Sequence, residues 1–342
     1  MQHKITSVHP LLDSQGNLIE AGYDTHLSLH YDRSMIKAPW YRIKEWDYYF
    51  LGNEDYGCAI TVADNSYMGL DAITVFDFKN KTYTTKEFTK WLTKGKKNLP
   101  SSSTKGDLRY VNKDYHIEII HKEGLRIIDL RVNQFKDKKD LVGRIILSSP
   151  SKESMVIATP FDKPLHFYYN QKINCFRAEG SLSLGHEVIR FQPTNTFGVL
   201  DWGRGVWTYK NTWYWGSASG LHNNHSFGFN LGYGFGDTSQ ASENMIFYQG
   251  KAHKLSLVTF HIPTFDGKDD YLSPWTFSSD DHRFEMTFTP VLDRHSHTDF
   301  KLLYSNQHQV FGYFSGQVVL DDGEVLMIES LFGFAEKVMN AW

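Results

Sequence analysis

Between residues 201 and 244 the chain sets acidic, basic and amide side chains among an unusual density of tryptophan. Asp201, Arg204, Glu243 and Asn244 are the groups able to hold or move a proton or an anion. Trp202, Trp207, Trp213 and Trp215, four of the nine tryptophans, supply flat apolar surfaces beside them. Burial against indole raises a carboxyl pKa, whereas a neighbouring guanidinium lowers one, and that separation is what acid and base roles require. Glu243 and Asp201 are therefore candidate proton donor and acceptor. Arg204 would hold a ligand carboxylate or stabilise developing negative charge. The structural alternative is an Asp201–Arg204 ion pair holding a turn, with Glu243 bonded to backbone.

Strand parity turns the rest of the segment into geometry. If 213–219 is a strand, Trp213, Trp215, Ser217 and Ser219 share one face. Over 227–235, Phe227, Phe229, Leu231, Tyr233 and Phe235 fall on one side, with Gly228, Asn230, Gly232 and Gly234 opposite. That pattern predicts a packed face and an open one, with Asn230 as a polar handle in the open groove. Trp207, Tyr209, Trp213, Trp215, Ser217 and Ser219 would then line a ligand site that Asn230 and Asn244 orient. An apolar concavity with a few convergent polar groups is the usual form of such a site.

Two classes of function use it. One is an enzyme moving protons on a small amphiphilic molecule by hydration, elimination or isomerisation; sugar cleavage by two carboxylates is its variant, since indole faces and amides suit sugars. The other is a binding protein without chemistry, its ligand inside a barrel. Orientation separates them: Glu243 and Arg204 pointing into one cavity with Trp213 or Trp215 favours the enzyme. If the two point to opposite sides of a sheet, the binding protein leads.

Other chemistries lack their motifs. His295-Ser-His297 and His222-Asn-Asn-His225 are close histidine pairs, but no His-Glu-x-x-His pattern or third ligand accompanies them, so no metal is expected. Gly232-x-Gly-x-Gly236 is followed by neither a helix nor a phosphate-binding lysine, Ser217-Ala-Ser-Gly has no strand-to-helix elbow, and Cys58 and Cys175 have no nucleophile motif. No cofactor is expected. With 36 basic and 39 acidic residues the formal charge is −3, which gives no global pull toward nucleic acid or an anionic membrane. No run approaches a membrane span, and the N-terminal residues lack a secretory core, so a cytoplasmic protein with reduced cysteines is expected. The sequence leaves the oligomeric state open.

The elements that must position these groups read as strands. Aromatics are 15% of the 342 residues, and runs such as Ala72-Ile-Thr-Val-Phe-Asp-Phe78 end at turn residues. Hairpins are expected at 116–132 around Lys122-Glu-Gly124 and at 316–328 around Asp321-Asp-Gly323. Only 86–94 reads as a possible short helix. Six lysines between 86 and 105 suggest a solvated loop or a charged cover on a sheet edge. Turns recur too often for a parallel sheet with crossover helices, so the fold class is all-β, a barrel or sandwich. The break near Pro160 to Gly180 divides the chain into domains at 1–170 and 171–342.

Several motifs resemble a bacterial family catalogued as domain of unknown function 2804. They are Asp-Trp-Gly-Arg-Gly-Val-Trp-x-Tyr at 201–209, Trp-x-Trp-Gly-Ser-Ala-Ser-Gly at 213–220, Asn-Leu-Gly-x-Gly-Phe-Gly-Asp at 230–237, and Glu243-Asn244. Segments 98–103, 164–175 and 333–342 fit the same family. The resemblance implies two lipocalin-like antiparallel β-barrel domains packed together, distantly related to carotenoid hydratase-like and fungal hydratase-like proteins. Fold alone does not fix chemistry.

Overall fold

The computed structural model describes residues 2–149, 151–300 and 303–342. The β-branched and aromatic runs become long antiparallel strands. Among the described residues there is no α-helix, only the 3-10 turns Arg33–Met35 and Trp40–Arg42. Two curled antiparallel sheets, of thirteen and nine strands, pack together as two half-barrels, in agreement with the all-β reading. No helix among these residues is long and apolar enough to cross a membrane.

Both expected hairpins form. Tyr115–Lys122 and Leu125–Lys136 are joined by Glu123 and Gly124, at φ +53° and +78°. A two-residue type I′ turn requires that left-handed pair. Leu303–Val319 returns through Asp321-Asp-Gly323 into Val325–Ala341. The segment 86–94 is not helical. Its first part belongs to Thr82–Trp91, an edge strand paired with Met68–Asp77, where threonine and aromatic content outweighs the weak helical spacing. Lys86 and Lys90 stand on that edge strand, Lys94 and Lys96 follow it, and Lys97 turns inward to an ion pair with Asp71.

The sheets change between Val206 and Lys210 rather than at 170/171. Strands Phe167–Leu184 and Phe197–Val206 pair with each other, and the latter with Ile43–Gly52, in the middle of the first sheet. The proline-bracketed stretch near 160–180 contains the start of strand Phe167–Leu184. Phe167–Leu184 carries a bulge where Cys175 takes φ +63° and the register shifts between Ile173 and Phe176.

Each half-barrel has its own packed interior. One is built around Tyr49, Tyr169, Phe176 and Trp202, the other around Phe229, Trp275, Phe288 and Phe314. Two further apolar clusters lie between the sheets, one around Phe50, Phe76, Phe311 and Phe334, the other around Tyr168, Trp207, Met245 and Phe247. Strands Ile43–Gly52 and Phe197–Val206 are thus buried on both faces, one toward the first interior and one toward the second sheet.

Candidate functional site

A cavity of about 500 Å³ opens between the sheets, lined by residues of both. Two rows of side chains face each other across it. In the first sheet, Thr61, Tyr48, Asp201 and Lys172 stand side by side on four neighbouring strands. In the second sheet the row is Arg294, Gln309, Glu336, Trp215 and Gly232.

In the first row Asp201 is held from three directions. Lys172 Nζ lies 2.8 Å from its Oδ1, Asn170 Nδ2 donates to Oδ1 at 2.6 Å, and Trp46 Nε1 donates to Oδ2 at 3.0 Å. Gly203 makes the Trp46 bond possible, because a methyl group there would stand 2.2 Å from the indole that crosses it. Lys172 also sits over the Trp215 ring at 4.2 Å and so joins the two rows.

In the second row Glu336 Oε1 accepts from Trp213 Nε1 at 2.9 Å and Oε2 from Gln309 Nε2 at 3.2 Å. Gln309 also donates to the Tyr48 hydroxyl at 3.0 Å and accepts from Arg294 Nη1 at 3.1 Å. Burial pushes the Glu336 carboxyl up to about 7, against the opposing pull of the Trp213 bond and Lys172. Glu243 reaches the cavity from the loop after Tyr233, and its Oε2 rests on the bare backbone of Gly232, where a methyl group would stand 2.5 Å away. Its Oε1 is buried without a hydrogen-bond partner, and burial raises its pKa, with Lys172 opposing. Asp201, Glu243, Glu336, Lys172 and the indoles of Trp46, Trp207, Trp213 and Trp215 therefore share one concavity. Such a set can bind a flat or apolar body and exchange protons with it. Among the described residues, no group of three His, Cys, Asp or Glu could hold a metal ion.

The structure brings Asp201, Glu243, Trp207, Trp213 and Trp215 together in this cavity, and separates the other sequence-derived candidates from it. Arg204 is the main correction. Three residues from Asp201 along a strand, it faces the opposite side and is fully buried in the first half-barrel. There it pairs with Asp47 at 2.9 Å, donates to the carbonyls of Trp46, Gly203 and Pro100, and lies over Trp202 at 4.3 Å. Neither an Asp201–Arg204 ion pair nor a shared Arg204–Glu243 cavity exists.

The glycine face of 227–235 is not an open groove either. A methyl group on Gly228 would meet Cys175 Sγ at 2.7 Å, and Asn230 is fully buried. Asn230 accepts from Trp215 Nε1 at 2.8 Å and donates to the Glu243 carbonyl at 2.9 Å, so it fixes two cavity residues from behind. Asn244 accepts from the Gly232 backbone and donates to the Ser256 carbonyl. Ser217 and Ser219 share the tryptophan face as parity requires, but bond to Asn174 Nδ2 and Cys175 N beside a second cleft of about 260 Å³. Tyr209 lies outside the cavity with Arg42 over its ring. Phe235 leaves the face of Phe227–Tyr233 after Gly234, at φ +109°, and stacks on Trp207.

Lys172, Glu336, Tyr48, Tyr168, Trp46, Gln309 and Arg294 are among the cavity residues that sequence reasoning missed. Three of them stand inside segments already noticed, Tyr168 and Lys172 in 164–175 and Glu336 in 333–342.

The family model described as "Domain of unknown function (DUF2804)" matches residues 2–342. No curated protein matches the sequence. Among solved structures, a candidate AttH from Nitrosomonas europaea is 12% identical, with a TM-score of 0.55 over 91% of this chain and 96% of that one. Kievitone hydratase from Nectria haematococca is 12% identical, with a TM-score of 0.49 over 87% and 88% of the two chains. CghA with Sch210972 is 9% identical, with a TM-score of 0.46 over 87% and 88%. At 12% identity, the first of these shares the fold with this chain and nothing more is drawn from it.

Proposed function

This chain belongs to the DUF2804 family, and we propose that it is an enzyme of acid–base type. It would hydrate, eliminate from or isomerise a small amphiphilic molecule in the cavity between the sheets. One observation carries the reading: two carboxyls raised by burial, Glu243 and Glu336, share an aromatic cavity with the Lys172–Asp201 ion pair. Glu336, raised to about 7, is suited both to donate and to accept a proton at neutral pH. Glu243, with one oxygen unpartnered, is positioned to meet a ligand atom, and Glu336 is the second proton-exchanging group. Asp201, engaged by three donors, serves as the fixed negative pole that orients Lys172. The indoles would hold the apolar part of the ligand.

A binding protein without chemistry is the second reading. Glu243 and Arg204 lie on opposite sides of the first sheet, the arrangement expected of a binder, and the enzyme reading stands instead on Glu336 and Lys172, which the sequence did not offer. Arg204, the expected anion-stabilising group, is spent inside the first half-barrel. A metabolite screen on wild type, Glu243→Gln and Glu336→Gln separates the two. The enzyme reading expects a compound consumed by wild type and left unconverted, though still bound, by one or both variants. A compound bound and recovered unchanged from all three proteins would establish the binding protein instead. A sugar substrate would emerge from the same screen.

A further inference from the structure

Beyond the carboxylate rows, one end of the cavity holds three buried hydrogen-bond donors, two without a partner and one with a single long contact. Lys44, Trp46 and Tyr48 alternate along strand Ile43–Gly52 and all line the cavity. At about 3.3 Å per residue, Lys44 is thus roughly 13 Å along the strand from the Tyr48–Asp201 row. Lys44 is 1% exposed and has no carboxylate within ion-pair distance among the described residues. Its Nζ has a single long contact, 3.4 Å to the Asn65 carbonyl, and lies 4.0 Å from the Tyr67 ring centre and 5.5 Å from that of Trp342. The Tyr67 hydroxyl and Trp342 Nε1 are buried without hydrogen-bond partners, and both residues line the same cavity.

An ammonium, a phenol and an indole N–H are donors, and the ammonium and indole can only donate. Left unmatched they carry the desolvation cost of buried polar groups, largest for the cation. Burial, with Arg42 nearby, pulls the Lys44 ammonium down to about 7, and the more distant Asp64 carboxylate opposes this only in part. What completes the set is an anionic acceptor of small size. A carboxylate has two oxygens, enough lone pairs for all three donors, and forms the stronger charge-assisted bond with the ammonium.

We propose that Lys44, Tyr67 and Trp342 form a carboxylate-binding subsite, so that the ligand of this cavity is an amphiphilic organic acid. Its acid group lies at the Lys44 end, and its apolar body runs past Trp46 and Trp207 toward the Glu243 and Glu336 carboxyls. The subsite rests on the reading of the inter-sheet cavity as the ligand site, and takes over the acid-holding role that Arg204 cannot fill. Trp91 and Phe300, both largely exposed, stand at the rim of the same cavity and offer an apolar entry.

The test uses a charge-matched pair of probes, 2-naphthylacetate and 2-naphthylacetamide, titrated into the full chain by calorimetry and tryptophan fluorescence. Wild type should bind the acid more tightly than the amide. Lys44→Met should weaken the acid by about tenfold or more, the worth of a charge-assisted hydrogen bond, and leave the amide nearly unchanged. Tyr67→Phe, which removes one oxygen atom, should weaken the acid by a smaller factor and guards against misfolding of the lysine variant. Equal affinity for acid and amide in wild type, or loss of both probes together in Lys44→Met with Tyr67→Phe inert, would overturn the subsite while leaving the cavity as a ligand site. Binding of neither probe would overturn the subsite and remove the main support for the cavity as well. Acid binding that stays intact while no conversion is found leaves the subsite standing and removes only the enzyme reading, so the two failures are told apart.

Discussion

At the residue scale the chemistry turns on how burial treats each carboxyl. Glu336 is raised from 4.5 to about 7 by desolvation. A carboxyl with a raised folded-state pKa favours folding while protonated. That contribution is complete below the unfolded value and lost as pH rises through the folded one. Wild type should therefore lose stability relative to Glu336→Gln between pH 4.5 and about 7, by on the order of 3 kcal/mol in all. Outside that window the difference should be level, because a lost Trp213 or Gln309 bond adds only a constant offset. Urea unfolding of both proteins below, within and above the window checks this; a difference independent of pH would show that Glu336 ionises as freely as an exposed carboxyl. The types and local faces of Trp213 and Trp215 were legible in sequence, as was Glu243 as a candidate acid. Parity also bears on Arg204: a spacing of three along a strand sends two side chains to opposite faces, so Arg204 and Asp201 could not share a site once 197–206 was extended.

At the scale of elements, the site is made by strands that let side chains lie across them. Gly203 sits opposite Trp46 in the ladder, and the indole crosses the bare backbone to reach Asp201. Gly203→Ala should expel that ring, break the 3.0 Å bond to Asp201 and destabilise the protein by about 1–3 kcal/mol, the usual range for overpacking. It should also weaken the naphthyl probes, since Trp46 is part of the wall. Denaturant melts combined with the calorimetric titration test both effects; unchanged stability would mean that the indole has room to lie elsewhere. The alternating glycines of 227–235 show what was illegible. Alternation announces that something approaches the strand closely, but not whether it is a ligand or another strand. Here it is the bulged strand Phe167–Leu184, through Cys175, and the Glu243 carboxyl.

At the scale of the whole molecule, the two sheets share two buried apolar clusters and the cavity rows, so neither half is closed on its own. A single unfolding transition is expected, with far-ultraviolet circular dichroism, which follows both sheets, coinciding with fluorescence from the cavity tryptophans. Two separate transitions would show that the halves are independent barrels. What the sequence determined by itself was local: the period of two that makes strands, the Glu-Gly and Asp-Gly turns that make hairpins, and the shared face of Trp213 and Trp215. What only the tertiary structure decided was which strands lie side by side and which sheet face meets which. Glu336 stands beside Trp215, and Asp201 beside Lys172, because of ladder register between segments far apart in the chain. Sheet-on-sheet packing then set those two rows opposite each other. Periodicity fixes the face of a residue within its own strand. Register and packing are settled by the summed burial of many distant side chains, and no single segment of the sequence carries that sum.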